Sequence, residues 1–387
     1  MKYQGFLRNT RKKLERSDFM SIKAKDIIKY MEELAPVSLA EDYDNVGLLI
    51  GSRESTVERI FVCLDVTSKT VDEAVAKKAD LIVSHHPVIF KGLKRINEDD
   101  PKGNIIYKLI RNNIGVYSAH TNLDVAHGGV NNYLSSILGL KDIISLKDYK
   151  AEKLYKVVVF VPHESVDAVR DAMSRAGAGW IGNYSDCSFM TAGTGTFRPL
   201  EGTNPYIGTT GNLEKVDEYR IETVVSQRNL KKVIEAMIKV HPYEEVAYDV
   251  YPLEIKGRQY GMGNVGVLDK PKSLDEFIAV VKEKLGVKNV RVIGETNKEI
   301  EKVAVFCGSF DRDVMEAAKS KADVLVTGDV KYHDAVDMLE IGMCVIDAGH
   351  FNTERIIADR LAQLIKENFP EVEVIKSNME EDPFKFY

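Results

Sequence analysis

Short apolar runs alternate with amphipathic stretches along this chain, and the alternation is repeated. Glu58 to Val83 aligns without gaps on Glu301 to Val326, with about a third of positions identical, including Lys-Ala-Asp at 78–80 and 321–323. Each copy reads as strand, turn, amphipathic helix, strand. Ile60–Leu64 and Val303–Phe306 are the first strands, and Leu81–Val83 and Val324–Val326 the second. Val71, Ala74 and Val75 mark one helix face, matched by Val314, Ala317 and Ala318. Continuous apolar strands joined through helices predict a parallel sheet covered on its faces.

Between the copies the pattern changes. A strand at Leu154–Val161, a helix at Val166–Ala176, a Gly/Thr-rich alternating stretch, a strand at Tyr219–Val225, a helix at Leu230–Val240 and a strand near Ala247–Tyr251 give a β-α-β-β-α-β order. That order is ferredoxin-like. Gly257, Gly261 and Gly263 read as a flexible return. The expected fold is therefore α/β, two repeated halves forming one pseudo-symmetric core, interrupted by a ferredoxin-like α+β insert. The boundaries are an N-terminal extension over 1–21, a first half over 22–150, the insert over 151–253 and a second half over 254–387. Helical periodicity begins at Ile22, which makes Met20 a candidate start.

Composition narrows the function classes. A net charge of -6 argues against a general binder of nucleic acid or anionic membrane. No apolar run approaches the ~20 residues that span a bilayer, and the first residues lack the apolar core of a secretory signal. Cys63, Cys187, Cys307 and Cys344 form no CxxC and read as reduced thiols, so a cytoplasmic location is expected.

Chemistry concentrates at the ends of the apolar runs. His120-x-Asn122-x-Asp124 and His350-x-Asn352-x-Glu354 repeat one pattern, each just after a strand, while Ser84-His85-His86-Pro87 closes another strand. Imidazoles and carboxylates gathered at strand ends are the donors of a binuclear transition-metal site, and the crevice beyond the carboxyl ends of strands is where α/β proteins bind ligands. Pro87 biases His86 to an extended backbone, so His85 and His86 are expected to diverge and serve one metal each. Read singly, the two histidines could cap a strand, Glu354 could be a first-turn acid and Asp124 a turn residue. Together the five form the expected ligand set. A helix from about Asn352 to Ile365 is expected, and one starting at His350 would put that residue and Glu354 on one face. His120 is either a ligand or, preferred, a proton shuttle or a group holding a ligand in place. His333 is expected as a substrate contact and His127 stays open, while His163 and His241 read as structural. Gly308-Ser309 follows a strand, but one glycine is too little for a phosphate loop. Asp42 to Gly47 reads as a turn, with two acids that could line a site mouth.

At these residues the chain resembles the Nif-three-like dinuclear-metal family, whose members are often labelled GTP cyclohydrolase type-2 homologs. The matching pieces are Asp44-Asn45-Val46-Gly47-Leu48, Ser84-His85-His86-Pro87, His120-Thr121-Asn122-Leu123-Asp124, Gly328-Asp329 with His333, and Gly349-His350 through Glu354. The resemblance implies that His85, His86, Asp124, His350 and Glu354 ligate two divalent ions, with Glu354 touching both. Asp124 and one of the paired histidines would hold one ion, and His350 with the other histidine the second. The insert resembles PII/CutA-like modules at His241-Pro242-Tyr243-Glu244-Glu245, and such relatives assemble as toroidal homohexamers. Cys307-Gly308-Ser309-Phe310 departs from the fuller glycine run of long members, so no phosphate-holding role is expected there.

The leading expectation is a metal-dependent hydrolase of cyclohydrolase or amidohydrolase type acting on a nucleotide, GTP-like, or a related heterocycle, with Zn, Fe or Mn as the metal and His120 or His333 moving protons. The competing one is a non-enzymatic metal-holding or small-ligand-sensing ring whose insert is the regulatory module. A two-metal phosphodiesterase on nucleic-acid ends suits an acidic chain poorly.

Overall fold

The computed structural model describes residues 21–385; the expected N-terminal extension and its Met20 start lie outside the described residues, save Ser21. The fold is mixed α/β with two sheets, and the chain divides into two compact units, one formed by residues up to Asp148 together with Gly261 onward, the other by Tyr149–Tyr260.

In the larger unit the first sheet runs in the order Gly47–Ile50, Gly115–Ser118, Leu81–Ser84, Arg59–Cys63, Glu373–Lys376. All but the first strand are mutually parallel. Phe61, Ile82 and Val116 pack against Val71, Ala74, Ile106 and Leu109 from the covering helices, all essentially without solvent contact. The second sheet places Glu299–Ser309, Val324–Gly328 and Cys344–Asp347 side by side and parallel, flanked by antiparallel partners at Asn264–Ser273 and Arg291–Ile293. Ala304, Leu325 and Val345 bury against Val314, Ala318 and Met338.

The internal repeat survives at the level of register. Ile60 pairs with Leu81 and Val303 with Val324, so aligned residues make aligned pairs. The shared aspartates explain the match. One oxygen of Asp80 accepts the backbone N–H groups of Glu58 and Arg59 at 2.8 and 2.9 Å. One oxygen of Asp323 accepts those of Glu301 and Lys302 at 2.9 and 2.8 Å. Each carboxylate ties the return from the helix to the start of the preceding strand and sets which residues face each other.

The smaller unit contains Tyr149–Pro162 of a long strand, a helix at Val166–Arg175, strands at Ser188–Phe197 and Glu214–Ser226, a helix at Gln227–Val240, and the strand from Tyr248 onward. Val157, Val159, Val161, Ile221 and Val225 bury against Val169, Met173, Val233 and Met237.

The first and last of these strands differ from expectation. They span Lys141–Pro162 and Tyr248–Ser273, and the glycines read as a flexible return lie inside the second. A Cβ on Gly257 would sit 2.8 Å from the Glu152 carbonyl oxygen, and one on Gly261 1.5 Å from Ser145 Oγ. These glycines permit close approach of neighbouring backbone within a strand rather than a loop. Among the described residues no helix is long and apolar enough to cross a membrane.

Candidate metal centre

The carboxyl ends of the parallel strands of both sheets in the larger unit bring the repeated motifs together. His85 and His86 follow Leu81–Ser84; His120 precedes the short helix Thr121–Val125, which carries Asp124; His350 and Glu354 open and close the helix His350–Glu354. That helix begins two residues earlier than the pattern suggested, and a second, Ile356–Asn368, follows. Residues four apart on one turn meet, with His350 Nε2 2.9 Å from Glu354 Oε2.

Glu354 is at the centre. Its Oε2 also lies 2.9 Å from His86 Nε2, while Oε1 faces His85 Nε2 at 3.8 Å. His85 Nε2 in turn lies 3.5 Å from Asp124 Oδ1. Three donor groups result, each with ligand atoms within 4.8 Å of one another: His85, Asp124 and Glu354; His86, His350 and Glu354; and His85, His86 and His120. The expected divergence of His85 and His86 does not occur. The chain bends there, their rings lie 5.0 Å apart, and both converge on Glu354, facing different oxygens.

Each of the four imidazoles is held by its other nitrogen. Nδ1 of His85 meets the Ala119 carbonyl oxygen at 2.8 Å, that of His86 Asp65 Oδ1 at 2.8 Å, that of His120 Asp44 Oδ1 at 2.9 Å and that of His350 Asp329 Oδ2 at 2.9 Å. A ring donating through Nδ1 to a carboxylate or carbonyl presents an acceptor lone pair at Nε2, which is how ligating histidines are oriented. His85 Nε2 is buried without a hydrogen-bond partner, an arrangement that is costly unless something else takes the lone pair. This donor set can hold a divalent metal ion.

The electrostatics agree. Burial alone would raise the Glu354 carboxyl, yet the bonds from His350 and His86, with His85 close by, hold it well below the usual range. Burial raises Asp124. His86, although burial disfavours its cation, is raised to about 10 by Asp65 and Glu354. His350 is raised to about 9, chiefly by Glu354, with burial opposing and Asp329 assisting. Asp44, against burial, is brought down to about 2 by His120 and Thr121.

Three contributors escaped the sequence reading or were read otherwise. Asp65 follows the strand Arg59–Cys63 without any local pattern to single it out. Asp44, read as a turn acid that could line a site mouth but not as a partner of His120, accepts from Thr121 N at 3.1 Å and Oγ1 at 2.5 Å besides meeting His120. Gly308 has φ +68°, and a Cβ there would lie 2.1 Å from Glu354 Oε1. Its N–H donates to Thr353 Oγ1 at 3.0 Å, so this glycine admits the central carboxylate. Cys307 is buried, with Sγ 3.3 Å from Asp124 Oδ1.

The remaining candidates lie apart. His333 is exposed, packs on the Tyr332 ring and joins none of the three donor groups. His127 is likewise exposed and outside them. In the smaller unit His241 is buried and bonded to the Phe160 carbonyl oxygen, and His163 packs on Tyr219. A cavity of about 730 Å³ opens on His86 and His350, with Phe351, Arg291, Asn352 and Phe384 among its walls.

Comparison with known proteins bears on this geometry. A family model described as Duf34/NIF3 (NGG1p interacting factor 3) matches residues 22–383. A Halalkalibacterium halodurans protein named GTP cyclohydrolase 1 type 2 homolog is 46% identical over 93% of this chain and 98% of its own length. A Bacillus subtilis protein of the same name is 42% identical over 95% and 99%. The crystal structure of a Bacillus cereus protein related to NIF3 superposes with a TM-score of 0.84 at 43% identity, covering 95% of this chain and 99% of that one.

Proposed function

The chain belongs to the Duf34/NIF3 family, and from that premise we propose that it is a binuclear divalent-metal hydrolase of cyclohydrolase or amidohydrolase type, acting on a nucleotide, GTP-like, or a related heterocycle. The observation that carries this reading is the Glu354 carboxylate, one oxygen turned to His86 and His350 and the other toward the side where His85 meets Asp124. His85, Asp124 and Glu354 are the ligands of one ion, and His86, His350 and Glu354 those of the other. Two such ions, as Zn, Fe or Mn, would supply a lowered pKa for attacking water and polarisation of the attacked centre.

The protein's own groups do the rest. Asp44 fixes the His120 ring through Nδ1, so its Nε2 faces the paired histidines, where it can take and return a proton. The cavity beside His86 and His350 is large enough for a heterocycle and offers aromatic walls at Phe351 and Phe384. His333 is assigned a contact with the outer part of the substrate. The name carried by the relatives supports a purine nucleotide as the first compound to try, since a fold and a metal site do not fix a substrate.

Residues 22–150 and 254–387 are assigned as the two halves of one pseudo-symmetric core, supported by the matched registers. Residues 151–253 are assigned as a ferredoxin-like, PII/CutA-like module, supported by its β-α-β-β-α-β order. The assembly is assigned as a toroidal homohexamer on the family resemblance.

The test is turnover of GTP and related heterocycles by metal-stripped protein reloaded with Zn, Mn or Fe(II). Metal-dependent ring opening that Glu354→Ala abolishes supports a hydrolase. Binding without turnover under every metal would instead favour the ligand-sensing ring.

A further inference from the structure

The C-terminal segment is not used by the ligand set, yet it leads straight to it. The strand Glu373–Lys376 lies parallel beside Arg59–Cys63. Beyond it Ser377 N donates to the Val62 carbonyl oxygen at 2.9 Å, and Ser377 Oγ donates to a Glu73 oxygen at 2.8 Å. The chain therefore runs on past the end of the first sheet toward the strand termini where the histidines stand.

There Glu380 turns inward. Its Oε1 accepts the backbone N–H groups of both Leu64 and Asp65, the second at 3.0 Å. These two residues grip His86 twice. The Leu64 carbonyl oxygen accepts the His86 backbone N–H at 2.9 Å, and Asp65 Oδ1 meets His86 Nδ1 at 2.8 Å. Leu64 lies just beyond the last residue of its strand, where its N–H has no ladder partner among the described hydrogen bonds other than this carboxylate. A peptide held by a charge-assisted bond on one side and bonded to His86 on the other has little freedom to shift. Two residues further on, Asp382 Oδ2 accepts from Asn352 Nδ2 at 3.4 Å, on the helix that carries His350 and Glu354.

We propose that Glu380 is a positioning residue for the candidate metal centre: by clamping the Leu64–Asp65 peptide it fixes Asp65, and through Asp65 the direction of His86 Nε2. The inference rests on the binuclear reading given above. It assigns the C-terminal strap a part in the His86–His350–Glu354 subsite and none in the His85–Asp124–Glu354 subsite, because His85 takes its orientation from the Ala119 carbonyl instead. Residues that orient a ligating histidine typically contribute about 10–100-fold to metal affinity.

The experiment is a calorimetric titration of Zn(II) into the metal-stripped full chain, with wild type, Glu380→Ala, Glu380→Gln and Asp65→Ala compared and each checked by thermal melting. Wild type is expected to bind at two sites. Glu380→Ala is expected to weaken one of them by about 10-fold or more and leave the other unchanged. Glu380→Gln, whose amide oxygen still accepts both N–H groups, is expected to restore the wild-type curve. Asp65→Ala, a substitution at a half-exposed side chain, reproduces the single-site loss and serves as the probe should Glu380→Ala not fold. Overturning results are distinct. A Glu380→Ala or Asp65→Ala curve that overlays wild type, or that weakens both sites together, removes the positioning role while leaving the binuclear reading intact. A wild type that takes up no zinc overturns the binuclear reading itself, and this inference falls with it.

Discussion

Glu354 and the residues touching it are where side-chain chemistry decides the outcome. With His86 raised to about 10 and His350 to about 9, both above the ordinary histidine value near 6.5, each ring carries a proton at neutral pH. Those protons stabilise the fold fully below about 6.5, the unfolded value, and that contribution shrinks as pH rises from there and is gone once pH has passed 9 to 10. A divalent cation must displace them, so zinc uptake releases protons and apparent affinity rises as pH increases from 6 toward about 10, levelling above. Titration in buffers of differing ionisation heat checks the sign; affinity independent of pH would mean these histidines are not the ligands. Gly308 gives a second residue-scale expectation. Gly308→Ala adds a methyl where Glu354 Oε1 lies and forces a left-handed φ on a non-glycine residue, at a cost of about 1–2 kcal/mol in backbone strain alone. Lowered metal content at a modestly reduced melting temperature is expected. The five residues read as ligands stood out because histidine and carboxylate recur at matched positions after strands. Asp44, Asp65 and Gly308 did not, because an acid after a strand or in a turn looks the same whether it faces solvent or a histidine ring. Only the fold shows which of them meets Nδ1.

At the scale of elements, the paired strands were legible because continuous apolar runs of this length have few alternatives. Their register was not legible, although its cause was in plain view as the shared Lys-Ala-Asp. Asp80 and Asp323 each accept two backbone N–H groups across the loop they close. Asp323→Ala is expected to lower unfolding free energy by about 1–2 kcal/mol, since two charge-assisted bonds at a partly exposed site are lost, and Asp80→Ala by a similar amount. Urea denaturation with unchanged slope measures this; no loss in either variant would mean register is set by apolar packing alone. The long strands Lys141–Pro162 and Tyr248–Ser273 were the poorest reading. Gly257 and Gly261 suggested a loop because glycine signals a turn or a close backbone approach equally well, and only the crowding against Glu152 and Ser145 distinguishes them. The helix of His350 began earlier than expected because its first residues, His-Phe-Asn-Thr, carry weak propensity and are held by tertiary contacts, among them the Gly308 N–H donating to Thr353 Oγ1 at 3.0 Å.

At the scale of the whole molecule, two units with separate cores divide the work. Every residue of the three donor groups belongs to the unit that contains both ends of the described chain, and none to Tyr149–Tyr260. A chain of 387 residues is long enough for more than one core, and the change of pattern after residue 150 marked where the second begins. Produced alone, residues 149–260 are expected to melt cooperatively, on the strength of the Val157–Ile221–Met237 core, and to bind no zinc. A fragment that holds zinc as tightly as the full chain would relocate the metal chemistry. The most direct test of the central claim is metal content per chain by elemental analysis, on gel-filtered wild type and Glu354→Ala after reconstitution with Zn, Mn or Fe(II). About two equivalents in wild type, falling sharply in the variant, is the expected result. A wild type that stays empty with all three metals, or a variant that keeps both equivalents, would contradict it.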